Sequence, residues 1–233
     1  MIARVRVLES RRLTPTVHDV KFEKPPGFEF EPVQFCGLEL RSPLGGIEYP
    51  MSLACSPTKP YLQFGARVSD SPWKSAFAAL KPGDVAEVDG PYGHFLLDPT
   101  SPAVFVAGGI GITPLKGMVE YASDRQLSID LRMVYSSRDE EEIAYRVELD
   151  ALVKQNPRFE IFHTLTRLPP DSTWNGRTGR IDTTLLSEAM DGLTRPIFYI
   201  CGAPGIVRES FRMLGGLGVS EDRIRYEVFR GYG

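Results

Sequence analysis

The 233-residue chain has few cysteines and none in a C-x-x-C pair: Cys36, Cys55 and Cys201 stand far apart. That spacing excludes a disulfide framework, a zinc site or an iron–sulfur cluster built within the chain, and it fits a reducing compartment. The opening "MIARVRVLES" carries charge early and has no apolar core, so no signal peptide is expected and the predicted location is cytoplasmic. Long hydrophobic runs are also missing. The longest, "AVFVAGGIGITPL", is too short and too rich in glycine to span a bilayer. The net charge of −3 gives no basic surface for nucleic acid. Histidine is scarce: His18, His94 and His163 are scattered without ligand spacing, so no metal is expected. No G-x-S-x-G is present to carry a serine nucleophile.

What is there falls into two textures. Up to about residue 98, short β-prone runs alternate with turn signals: "ARVRVLES", "HDVKFE", "QFCGLELRS", "LQFGARVS" and "DVAEVDGPYG". Runs at that spacing predict a small antiparallel β-barrel or sandwich. One helix interrupts them at "SPWKSAFAAL", with Ser71 suited to its N-cap and Pro72 to its first position. After a linker rich in breakers, "LLDPTSP", strands and helices alternate. Strands are predicted at 103–109, 129–137, 159–167, 196–203 and 223–231, with helices at 113–126, 139–157, 183–193 and 205–218. Buried strands joined by crossover helices predict a doubly wound parallel sheet.

Between the first and second strands of that sheet lies "AGGIGITPLKGM". Gly108, Gly109 and Gly111 allow close backbone approach, Thr113 suits an N-cap, and Pro114 suits the first helical turn. The free N–H groups of such a helix start favour a phosphate. A tight strand-to-helix turn without ligand would use the same glycines. At the carboxyl end of a strand in a doubly wound sheet, the nucleotide reading is the better one. The next strand ends in Ser137 and Arg138, the third in Thr166 and Arg167. A hydroxyl beside a guanidinium accommodates a 2′-phosphate, which favours NADP and leaves NAD open.

Four segments in order, "GPYGHF", "GGIGITP", "YICGAPG" and the ending "YEVFRGYG", give a resemblance over nearly the whole chain. The sequence resembles the ferredoxin–NADP reductase superfamily, in its stand-alone form without a fused ferredoxin domain. The resemblance implies an FAD-binding barrel at 1–98 and an NAD(P)-binding α/β domain at 102–233. It also implies hydride transfer from NAD(P)H to the flavin and onward passage of electrons to a separate acceptor protein or oxygenase component. Ser52 matches the motif serine that would bond near the flavin N5. Cys201, with Gly202 and Pro204, matches the C-G motif near the nicotinamide. Glu227 and Phe229 match the terminal E-x-F, a carboxylate near Ser52 and Cys201 and a ring able to cover the flavin.

The chain departs from the family at its flavin motif. Where the pattern has arginine, any residue, tyrosine and serine, this sequence has Tyr49, Pro50, Met51 and Ser52. The phosphate-binding arginine is absent. The sequence offers Arg67, Val68 and Ser69 on the following strand, and Lys74 and Ser75 in the first turn of the helix after Ser71, as replacements for holding the FAD pyrophosphate. Two other functions remain open at this point: an electron-transfer subunit active only inside a larger complex, and a degenerate binding module poor in flavin.

Overall fold

The computed structural model describes residues 1–42 and 45–229. Arg230 and Gly231, the end of the predicted last strand, lie outside the described residues, as does Tyr232, which with Gly231 completes the terminal motif. The first half forms β1 (Ile2–Thr14), β2 (Val17–Glu23), β3 (Phe35–Ser42), β4 (Gly45–Ser52), β5 (Tyr61–Arg67), α1 (Pro72–Ala79) and β6 (Val85–Tyr92). These six strands make one antiparallel sheet in the order β4-β3-β6-β1-β2-β5. Just past β4, the amide of Ala54 donates to the Gln63 carbonyl of β5 at 2.8 Å, which brings the two edge strands together. Inside lie Val5, Phe22, Leu38, Phe64 and Val88, the inward set of alternating strands. Trp73 and Phe77 of α1 cap one end of this core. The N-cap of α1 is Ser71, whose hydroxyl accepts the Lys74 amide. Pro72 follows at the first helical position, as the sequence predicts.

The second half forms β7 (Ala103–Gly108), α2 (Ile112–Asp124), β8 (Leu131–Ser137), α3 (Arg146–Gln155), β9 (Phe159–Leu165), β10 (Arg177–Thr178), α4 (Thr183–Met190), β11 (Ile197–Gly202), α5 (Pro204–Gly216) and β12 (Ile224–Val228). All five pairings are parallel, in the order β10-β9-β8-β7-β11-β12. Leu115, Met118, Leu149 and Leu152 of α2 and α3 bury one face of the sheet. Leu185, Leu186, Val207 and Leu214 of α4 and α5 bury the other. The sheet is doubly wound because its central strands β7 and β11 are apolar on both sides.

Two local expectations fail. Thr113 is not an N-cap: the chain already turns in a 3₁₀ segment at Gly109–Gly111, and α2 runs from Ile112. The Thr113 hydroxyl instead donates to the Ile110 carbonyl at 3.0 Å, so Pro114 sits inside the first turn, where its missing N–H costs nothing. The helix predicted from residue 139 begins only at Arg146, after Tyr145 in a left-handed conformation (φ 59°). The acidic run before it has good helical propensity, but tertiary bonds outweigh it. Glu142 accepts from Thr14 and Thr16, and the Tyr145 hydroxyl reaches Asp19 at 2.8 Å, all on the barrel.

Candidate functional site

Two clefts open where the barrel meets the sheet. The first, about 230 Å³, is lined by Tyr49, Pro50, Met51 and Ser52 of β4, with Phe35, Gly65 and Thr113 around them. Glu227, Val228 and Phe229 close it from the end of β12. β4 delivers its motif residues because it pairs with β3 in a fixed register, Ser52 opposite Phe35 and Pro50 opposite Gly37. Tyr49 stands where the family pattern has arginine. Its ring stacks on Trp73 at 5.0 Å, and Trp73 on Phe77 at 5.2 Å. The position has exchanged a charge for an aromatic ladder. Met51 is 6% exposed and belongs to the barrel core as well as the cleft wall.

Glu227 carries the electrostatics of this cleft. One carboxylate oxygen, Oε2, is buried and has no hydrogen-bond partner among the described residues. Burial pushes the carboxyl from 4.5 up to about 7. Cys201 is its register neighbour on β11 and is fully buried. Burial first, and the adjacent Glu227 second, raise the Cys201 thiol well above its ordinary range, so it stays protonated and is no nucleophile. The amide of Phe229 donates to the Gly202 carbonyl at 2.9 Å, which fixes the ring at the junction of the two clefts.

The second cleft, about 260 Å³, is lined by Gly108, Gly109 and Ile110 of the glycine turn, by Ser136, Ser137 and Arg138 at the end of β8, and by Thr166 beyond β9. Arg67, Glu142 and Phe229 complete its rim. Gly109 has φ 53°, and a Cβ there would meet nothing closer than Arg67 Nη2 at 4.0 Å, so its backbone faces open space. The other two glycines serve packing. A Cβ on Gly111 would lie 2.2 Å from the Cys201 carbonyl oxygen, and one on Gly108 would lie 2.4 Å from Ile206. Among the described residues the start of α2 has no side-chain cap, and the Ser137 hydroxyl and Arg67 Nε are buried without partners. These are donors a phosphate would satisfy.

Several predicted residues line neither cleft. Val68, Ser69 and Ser75 lie off to one side, the amide of Val68 bonded to Thr16 and the Ser75 hydroxyl to the Ser69 carbonyl. Lys74 lies behind Arg67; desolvation and the Arg67 charge lower its pKa. Pro114 is buried in α2, and Gly111 and Gly202 hold backbone turns. Pro204 opens α5 from the surface. Arg167 is exposed, its amide bonded to the Arg138 carbonyl at 2.6 Å. Arg67 faces the glycine turn across the second cleft, whereas the sequence pattern assigns it to the FAD phosphates. Phe35, Gly65 and Glu142 were not anticipated. Only pairing across strands and across the interface brings them to the clefts, and no local motif marks them.

Comparison with known proteins supplies the family. The family model of the oxidoreductase NAD-binding domain matches residues 105–210. Ferredoxin–NADP reductase B of Sorangium cellulosum is 33% identical, over 96% of this chain and 96% of that protein. The chain belongs to the ferredoxin–NADP reductase family. One component of a Na⁺-translocating NADH-quinone reductase, from a Marinomonas species, is also 33% identical, over 66% of this chain, and the match spans 39% of that component. Among solved structures, a Neisseria gonorrhoeae ferredoxin–NADP⁺ reductase with bound FAD and NADP superposes with a TM-score of 0.84 at 23% identity, covering 97% of this chain and 98% of that one. At that identity the likeness speaks for the fold, which is the same barrel and doubly wound sheet.

Proposed function

We propose that this chain is an NAD(P)H-dependent flavoprotein reductase that holds FAD in the first cleft, takes NADPH in preference to NADH in the second, and passes electrons to a separate acceptor protein. The carrying observation is Glu227 Oε2, buried without a partner among the described residues and set with Ser52 in an apolar cleft that meets the glycine-turn cleft at Phe229. The residues present fit FAD. Met51, Phe35 and Phe229 give apolar walls and Ser52 and Glu227 give the polar edge, while the capped start of α1 with Ser71 and Lys74, outside the cleft lining itself, would hold the phosphates in place of the missing arginine. Bound there, FAD supplies hydride acceptance and stepwise electron release, chemistry no side chain has.

The chain's own part is orientation, dryness and one proton. Ser52 lines the cleft, and Glu227, protonated below about pH 7, holds an exchangeable proton at its carboxyl. The buried, neutral Cys201 supports Glu227 from behind. Phe229 stands between the two clefts and excludes water until coenzyme enters. In the second cleft the α2 start, Ser137 and Arg67 present donors to the coenzyme phosphates. Arg138 and Thr166 suit the 2′-phosphate. Glu142, the acid in this cleft, has its carboxylate taken by Thr14 and Thr16.

The acceptor class rests on relatives: a ferredoxin reductase of carbazole 1,9a-dioxygenase and the cytochrome P450 reductase GcoB of Amycolatopsis share the fold. The likeness to the quinone reductase component supports the second reading, a working part of a larger assembly. Three buried free thiols support a cytoplasmic site of action. Among the described residues no helix is long and apolar enough to cross a membrane.

The test is the visible spectrum of the purified protein after incubation with FAD, followed by anaerobic addition of NADPH and of NADH. A flavin spectrum bleached at lower NADPH than NADH concentration is expected. Protein that stays colourless with both FAD and FMN sinks the flavoprotein reading, and equal bleaching by both coenzymes sinks the preference. Turnover of an artificial one-electron acceptor only after a partner chain is added favours the larger assembly.

A further inference from the structure

Behind the two clefts, polar side chains are buried at the barrel–sheet interface without being part of either cleft wall. Asp19, Gln63, Lys116 and Tyr145 are each 1% exposed. Asp19 accepts two bonds from Gln63 Nε2, at 2.9 and 3.1 Å, one from the Tyr145 hydroxyl at 2.8 Å and one from Arg11 Nε at 3.3 Å. Gln63 Oε1 accepts from Lys116 Nζ at 3.1 Å, and the same ammonium donates to the Ala54 carbonyl at 3.0 Å. It also lies 3.7 Å from Glu120 and 5.3 Å above the Tyr145 ring.

The position of this chain of bonds gives it a role. Ala54 follows two residues after Ser52, and Ser52 is part of the wall of the first cleft. Lys116 lies in α2, the helix that leaves the glycine turn, and Tyr145 ends the segment that carries Ser137, Arg138 and Glu142. The Tyr145 hydroxyl sits directly behind Gly65 of the first cleft, where a Cβ would come within 2.2 Å of it and within 3.1 Å of Thr113. Tyr145 keeps its left-handed backbone while making this reach. The Ser52 strand and the glycine turn belong to different sheets, so contacts across the interface set their separation. Bonds of fixed length between buried, fully used polar groups tolerate little sliding.

We propose that Lys116, Asp19 and Tyr145 are positioning residues for hydride transfer, setting the distance between the Ser52 wall and the glycine-turn cleft through the Tyr145–Asp19–Gln63–Lys116–Ala54 chain. The role in transfer rests on the reductase reading above; the control of the wall does not. An error of about 1 Å in such a distance costs on the order of a hundredfold in rate while leaving binding nearly intact.

The experiment compares Lys116→Met and Tyr145→Phe with Asp124→Asn, which removes the charge and one acceptor from the Thr58 and Lys59 contacts at the same interface but outside the chain of bonds. One measurement is the rate of flavin bleaching at saturating coenzyme, alongside FAD and coenzyme affinities. Tyr145→Phe is expected to slow bleaching about tenfold, and Lys116→Met more, with affinities within about twofold and Asp124→Asn at the parental rate. A second measurement needs no flavin: hydrogen exchange of a peptide spanning residues 51–55 rises in Tyr145→Phe and Lys116→Met and not in Asp124→Asn. Tyr145→Phe removes one oxygen and decides the matter if Lys116→Met does not fold. Parental exchange in Tyr145→Phe, or an equal change in Asp124→Asn, overturns the proposal. A parent that takes no flavin sinks the reductase reading, and the exchange measurement still decides whether the network holds the wall.

Discussion

Glu227 is a carboxyl the fold destabilises when charged, and the pH dependence follows from that. Its native pKa lies near 7 against an ordinary 4.5, so the native state binds this proton more tightly than the unfolded chain does. Stability from this group is full below about pH 4.5 and is lost as the pH climbs to about 7. Glu227→Gln is expected to unfold at a higher temperature than the parent at pH 8, by on the order of 2 kcal/mol in stability, with the gap closing near pH 5. Thermal melts at the two pH values check this; a constant gap would mean the oxygen is not the source. Arg67 is a second residue with a single-site test. It lines the cleft at the glycine turn, proposed above as the coenzyme site, so Arg67→Ala is expected to weaken NADPH binding about ten- to a hundredfold and to keep FAD. Loss of FAD with coenzyme affinity retained would return this arginine to the flavin phosphates, where the sequence pattern puts it.

At the scale of elements, glycines that look alike in the sequence divide by their surroundings. Gly111 has φ −60°, a value any residue adopts, yet a Cβ there would overlap the Cys201 carbonyl of β11. Gly111→Ala is expected to cost about 4 kcal/mol or more, read as a fall in the urea midpoint, because backbone and not a movable side chain is in the way. Gly215, exposed near the end of α5, would place its Cβ in open space. Gly215→Ala is expected to gain about 0.5–1 kcal/mol from helix propensity alone. The "GGIGITP" motif was legible as a nucleotide turn, and the chain does turn there. Its division of labour was not, because Gly111 answers to β11, some ninety residues later in the chain. The start of α3 misled for a similar reason. Residues 139–145 carry a helical composition, but Glu142 and Tyr145 are drawn to hydroxyls and a carboxylate on the barrel.

For the whole molecule, the two clefts exist only because barrel and sheet are locked together, and ligand binding is expected to report on both. NADP⁺ at about a hundred times its dissociation constant should raise stability by about 2.7 kcal/mol, with NAD⁺ needing a higher concentration for the same shift. Thermal shifts with each coenzyme measure this, and equal responses at equal concentrations reject the NADP preference. The interface is polar where it positions the clefts and apolar elsewhere, with Val17, Val33 and Ala54 of the barrel packed into the core of the sheet half. Mixed packing of this kind holds the halves in one arrangement while bonds set the fine spacing.

β4 and the short β10 went unmarked by local pattern, and Ser52, Cys201, Glu227 and Phe229 were singled out only by the family resemblance. Local pattern was enough for the two textures, five of the six strands of the first half, the strand–helix alternation of the second, and the glycine turn. Those features are written in period-two and helical alternation, breakers, and short runs a few residues long. Folding was needed to pair Tyr49 with Trp73 in place of a charge, to turn Arg67 toward the glycine turn, and to bring Phe35, Gly65 and Glu142 to the clefts. Folding also leaves one Glu227 oxygen without a partner among the described residues, and burial pushes the carboxyl of this commonplace strand residue up to about 7. The cause is shared by all of these cases. Such properties depend on burial and on neighbours from distant strands, and a linear pattern carries neither.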